Sequence, residues 1–190
     1  MRQAIVSSIR QLTLRSGNVI PDSCSDIPLR KCFGCGGLFP EASGATHKYM
    51  LSTAGCWSSY GDLLVREYES PVLFGAVHRL TVDAYALQHP GDIIDRRAIQ
   101  SVWVHYAALY LAFEQKRPLG DIPPVMQKLA GGSFPPLPTI AARFAVTHAD
   151  VIAGPVDNHA ALVRDWAYCA YDAWSALNQP TKSFLNRVGL

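Results

Sequence analysis

Charge is scarce in this chain, and neither sign dominates. Of its 190 residues 17% are charged, and 17 Lys and Arg against 15 Asp and Glu leave a net charge of +2. Such a balance offers no electrostatic footprint for nucleic acid or an anionic membrane. With 49% hydrophobic residues, the sequence is nevertheless neither a disordered chain nor a charged tail. Long apolar runs are missing too. The nearest approach to a membrane span, Ala98 to Phe113, is sixteen residues long and holds Gln100, Ser101 and His105, so it reads as a buried helix. The N-terminus carries Arg2, Arg10 and Arg15 with no acidic residue before Asp22, mildly like a transit peptide. It has no continuous apolar segment and no small-residue cleavage site, which argues against secretion. No GxSxG, phosphate-binding glycine loop or HExxH occurs, so hydrolase and nucleotide-binding readings lack an anchor. Internal repeats and low-complexity tracts are absent as well. The expectation is one cytoplasmic domain with no membrane partner.

Cysteine is present in an odd number. Cys24, Cys32, Cys35, Cys56 and Cys169, in a chain without a secretion signal, fit reduced thiols better than a disulfide framework. Cys169 falls on the stripe Leu162, Trp166, Cys169, Ala173 of a late helix, as a small buried hydrophobe would. Cys24 stands among Ser and Asp, with nothing around it that suggests a ligand or a nucleophile.

Strand signals are weak throughout, and helical periodicity is strong. Trp57, Tyr60, Leu64 and Tyr68 recur at helical spacing from Cys56 to Glu69, after which Ser70 and Pro71 form an N-cap and first-turn pair. The stripe Leu73, Val77, Leu80, Ala84, Leu87 marks the next helix, stopped by His89, Pro90 and Gly91. Ile99, Val102, Tyr106, Leu109 and Phe113 mark a third helix, from about Asp95 to Gln115, which pairs with the second as a hairpin. Pro118 to Pro138, with six prolines and three glycines, reads as an excursion over the bundle with a short helix near Val125 to Ala130. Val125, Met126, Leu129, Phe134 and Leu137 require it to dock, either as a lid over a cavity or as a strap on a filled core. Thr147 and Asp150 form a capping box, and Asp157 can cap a final helix to about Leu177. The chain therefore divides into an N-terminal arm (1–30), a helical domain (31–177) and a C-terminal tail (178–190). Its fold class is mostly α, a helical bundle with a small N-terminal zinc knuckle.

The chemistry concentrates at Cys32 and Cys35, a CxxC followed by Gly36 and Gly37. Such a turn lets two thiolates face one ion, and thiolates suit Zn(II), which takes four N or S ligands in a tetrahedron. A thioredoxin-like redox reading would need a βαβ context that is missing. Cys56, at the start of a helix whose N-terminus favours the thiolate, is the third ligand. For the fourth, His47 lies in the intervening loop and His78 about two turns into the next helix. Helix lengths favour His47. If the helices flanking Ser70 run antiparallel, Cys56 lies about 14 residues before the turn and His78 about 8 after it, a mismatch of roughly 9 Å. His78, Val82, Tyr85 and His89 recur along one side of their helix, but His78 and His89 stand about 16 Å apart along it and cannot share an ion. His89 is expected to cap the helix end, where an imidazole meets the last carbonyls.

The runs CFGCGGLFP, THKY, GCWSSYGDLLVREY, HRLTVDAYALQHPG and AIQSVWVH resemble an uncharacterised bacterial family catalogued only as a domain of unknown function. The resemblance is specific from about 30 to 115 and fainter to about 177. Members of that family lack the THKY insert but keep a CxxC, a Cys before an aromatic-x-Leu-Leu helix, and a His at the position of His78. The resemblance thus implies Cys32, Cys35, Cys56 and His78 as ligands, with His47 second to His78. It implies no activity.

The leading expectation is a zinc-binding helical protein with a structural CCCH site, acting as a binding or regulatory module for an unknown small molecule or protein. The rival is a small-molecule enzyme. Its pocket would lie between the central helices near His105, lined by Tyr85, His89, Gln100 and Trp103. His105 is expected level with Arg79, within reach of His78, whereas Asp83 has an i−4 partner in Arg79.

Overall fold

The computed structural model describes residues 28–140, 144–187 and 189. The N-terminal arm up to residue 27, including Cys24, lies outside the described residues. Strand β1 (Leu29–Lys31) pairs antiparallel with β2 (Leu38–Pro40), Leu29 opposite Pro40 and Lys31 opposite Leu38. This hairpin was not expected from the sequence. Three-residue strands are too short to show a period, and only Phe39 turns inward, buried between exposed Leu38 and Pro40.

Helix α1 (Ala54–Tyr68) starts at Thr53, whose Oγ1 accepts from the Cys56 amide at 3.3 Å. It meets α2 (Pro71–Gln88) at the Ser70 cap, where Oγ accepts from the Leu73 amide at 3.3 Å and Pro71 enters the first turn. Asp95 caps α3 (Arg96–Phe113), its carboxylate accepting from the Arg97 amide at 2.8 Å. Helix α4 (Ile122–Ala130) follows a 3-10 turn, and α5 (His148–Ala153) starts at the Thr147 and Asp150 capping box. Helix α6 (His159–Ala173) and α7 (Asn178–Arg187) complete the described chain. None of these helices is long and apolar enough to cross a membrane.

Helix α2 lies at the centre, packed by α1, α3 and α6. Its second half is buried all round, from Asp83 to His89. Polar side chains there find partners: the Trp166 indole donates to Gln88 Oε1 at 2.9 Å, Gln88 Nε2 to the Val146 carbonyl at 2.7 Å, and the Trp174 indole to the Leu87 carbonyl at 2.9 Å.

Two expectations about the C-terminal part need correction. The last core helix ends at Ala173, because Trp174 leaves helical geometry to place its ring against α2, and a 3-10 turn then tucks Leu177 inside. Residues 178–187, read as tail, form α7. Thr181 and Leu185, one turn apart, are buried, a stripe of two positions that is too faint to read in sequence. The Pro-rich segment docks as a strap. Ile122, Val125, Met126 and Leu129 of α4 are buried, and the Trp103 indole donates to the Pro135 carbonyl at 3.0 Å.

Candidate metal centre

The hairpin, the first turn of α1 and the end of α2 converge on one point. Between the strands the chain folds into a knuckle: the Cys32 amide donates to the Gly37 carbonyl at 2.8 Å, and the Gly36 amide to the Cys32 carbonyl at 3.0 Å. Gly36 takes φ +78°, a left-handed conformation that glycine adopts without strain. The Gly37 amide points at the Cys35 sulfur, 3.4 Å away. Close approach is built in at Gly34, where a Cβ would stand 2.5 Å from Cδ2 of His89 and 2.3 Å from the Leu51 carbonyl oxygen.

Cys56 enters from α1, its Sγ 4.0 Å from that of Cys35. His89 enters from the residue that caps α2. Its Nδ1 donates to the Tyr85 carbonyl at 2.8 Å, which leaves the Nε2 lone pair facing the Cys56 sulfur at 3.2 Å. One ligand atom each from Cys32, Cys35, Cys56 and His89 lie within 4.8 Å of one another, and all four residues are buried. A tetrahedral ion with bonds of about 2.3 Å to sulfur and 2.0 Å to nitrogen needs S···S of about 3.8 Å and S···N of about 3.5 Å. The observed distances bracket those values, so this donor set is a Cys3His group at metal-binding distance.

The three thiols perturb one another strongly. Cys32 is held well below the usual thiol range, because the Cys35 and Cys56 thiols donate to its sulfur. Cys35 is pushed up to about 12 by the same hydrogen bond, which keeps its proton, and Cys56 is raised for the same reason and by burial. A bound cation would remove the repulsion between neighbouring thiolates.

A second layer of side chains fixes the first. Tyr85 stacks between Tyr60 and His89, with ring centroids 3.7 and 3.9 Å away, and its hydroxyl stands 3.6 Å from the Cys56 sulfur. His148 of α5 stacks on Phe39 at 4.5 Å and donates through Nε2 to the Cys56 carbonyl at 3.2 Å. Burial, and then the nearby His89, push His148 down to about 3, so it stays neutral.

Of the ligands expected from sequence, Cys32, Cys35 and Cys56 meet here, and His78 and His47 do not. His78 Nδ1 lies 2.8 Å from Oε2 of buried Glu67, with its ring stacked on Phe74. The same carboxylate takes His159 Nε2 at 3.1 Å and Thr81 Oγ1 at 2.5 Å. His47 accepts the Tyr49 amide through Nδ1 at 3.2 Å. The physical reason is antiparallel packing: the start of α1 lies beside the end of α2, so the length mismatch counted against His78 is met by His89, further along the same helix. His89 does cap that helix, as expected, and the cap bond is what orients it. Nothing in the sequence pointed to His148. The Thr147 capping box places it at a helix start but does not say which core it enters.

Among the described residues, the five pocket candidates do not form one cluster. Tyr85 and His89 belong to the thiol cluster, and Gln100 donates to the Ala130 carbonyl. Trp103 stacks on Phe134 of the strap. His105 Nδ1 donates to buried Asp83 at 2.7 Å, beside Arg79, whose Nε donates to the same carboxylate at 2.8 Å. His105 is therefore level with Arg79, as expected, but its partner is Asp83 rather than His78.

The sequence model of a family of unknown function (DUF5946) matches residues 30–175. No curated protein and no solved structure matches the chain.

Proposed function

The chain belongs to this family of unknown function, and we propose that it is a zinc-stabilised helical module whose Cys32, Cys35, Cys56 and His89 centre is structural. One observation carries the reading: the donor set is complete at four, the number a closed tetrahedral site takes, and each member is buried. Three thiolates and an imidazole favour zinc over the harder divalent cations. Bound zinc would supply a tetrahedral cross-link. The protein supplies its orientation, through the Tyr85 carbonyl on Nδ1 of His89 and the knuckle amides near Cys35. A reducing compartment such as the cytoplasm keeps the three thiols available. The module serves a protein or small-molecule partner through its helical surface, and the scattering of the five pocket candidates weighs against an enzyme near His105.

Metal analysis of the purified protein tests the reading. One zinc per chain, released slowly to chelator and with loss of helical circular dichroism, is the expected result. Iron in place of zinc, or zinc lost with the fold intact, would refute it.

A further inference from the structure

Away from the thiol cluster, the C-terminal end of α3, the turn after it, and the neighbouring faces of α2 and α6 enclose a groove of about 500 Å³. Leu80, Phe113 and Leu119 supply its apolar lining, and Lys116, Arg117 and Arg164 its charge. We propose that this groove binds a small amphipathic anion, a carboxylate or phosphate ester joined to an apolar chain.

The three cations come from two separate elements, and among the described residues none has a carboxylate within 4.0 Å. The carbonyl end of α3 accounts for a cation at Lys116 or Arg117, but not for Arg164, which α6 brings in. Arg164 donates through Nη2 to the Ala76 carbonyl at 3.3 Å, which holds its guanidinium at the groove with further N–H groups to offer. Anion recognition by such a fork over an apolar floor is the usual chemistry of amphiphile sites.

Two local choices that the fold does not require face the same groove. Helix α3 closes with the Arg117 amide on the Leu111 carbonyl at 3.0 Å, a turn whose left-handed position glycine normally fills. Lys116 occupies it at φ 54°. Strain accepted there keeps a cation where a glycine would carry none. Gly75 stands inside α2, where alanine would favour the helix, and a Cβ built on it meets nothing within 4 Å. No packing contact demands that glycine, and its lack of a side chain keeps the groove open.

Calorimetric titration of the full-length, metal-loaded protein with decanoate, decyl phosphate, decanol and inorganic phosphate tests the proposal. One or both amphiphilic anions should bind at least tenfold more tightly than decanol or phosphate, and the stronger of the two identifies the head group. Gly75→Leu, whose Cβ meets nothing within 4 Å and whose side chain would occupy the groove, and Arg164→Gln should each weaken that binding at least tenfold, with metal content and melting temperature kept. Failure of both anions to bind below millimolar concentration, equal binding of decanol, or undiminished binding by either variant would overturn it.

Discussion

Cys56 and His89 meet at 3.2 Å across 33 positions of chain. The contact ties the first turn of α1 to the residue closing α2, so it exists only if both helices run their full length and the chain reverses at Ser70. In the proposed metal centre, affinity for the ion and the packing of the two helices are therefore one property.

Removing either partner should remove both. His89→Ala and Cys56→Ser are expected to weaken zinc binding by more than about 100-fold, beyond what loss of an outer hydrogen bond costs, and to lower the melting temperature. His78→Ala and His47→Ala should keep one zinc per chain. Metal content by mass spectrometry decides the matter, and zinc retained by His89→Ala but lost by His78→Ala would reverse the assignment.

Two glycines of α1 should respond in opposite directions. A Cβ at Gly55 would stand 1.9 Å from the Pro40 carbonyl oxygen, backbone that cannot yield without moving β2. Gly55→Ala should destabilise the fold and weaken zinc binding together. At Gly61 a Cβ meets nothing within 4 Å, so Gly61→Ala should gain about 0.5–1 kcal/mol from helix propensity. Urea denaturation of both variants reads the contrast.

His148 gives the fold an acid sensitivity of its own. Held near 3 when folded, against an ordinary 6.5, it binds a proton more readily in the unfolded chain. Its contribution is complete above about 6.5 and is lost as pH falls toward 3, amounting to about 2 kcal/mol between pH 7 and pH 5. His148→Phe should forfeit about 1 kcal/mol at pH 7 with the bond to the Cys56 carbonyl. It should also show a shallower decline to pH 5 than the parent protein, since thiolate protonation is common to both. Parallel stability curves would contradict this.

Ion pairs should differ by burial. Asp83 is fully buried between Arg79 and His105, and Asp83→Ala, which strands the Arg79 charge, is expected to cost about 3 kcal/mol. The exposed pair Arg30 and Glu41, 3.6 Å apart, should cost less than about 1 kcal/mol when either is truncated. Chemical denaturation of the truncation variants provides both numbers.

Much of the helical frame was legible because its signals are local. Ser70 with Pro71 and Thr147 with Asp150 announce helix starts in four residues or fewer, and the stripes of α2 and α3 repeat over several turns. The CxxCGG run identified the knuckle for the same reason, since the turn and its two thiols are adjacent in sequence. The fourth ligand is a long-range fact. Choosing among His47, His78 and His89 requires knowing which end of α2 lies beside Cys56, and that follows only once the turn at Ser70 is read as a tight reversal and the helix lengths are counted through to the end. His148 and α7 were hidden further still, because their burial depends on surfaces contributed by elements far away in the chain.

The four candidate ligands fall between residues 32 and 89, ahead of everything from α3 onward. On a chain emerging from the ribosome, the complete donor set can be exposed while α5 to α7 are still being made. Metal capture can then precede the arrival of His148 and α6, which pack against the finished corner. The centre would act as an early fastening during synthesis, giving later helices a fixed surface to fold upon.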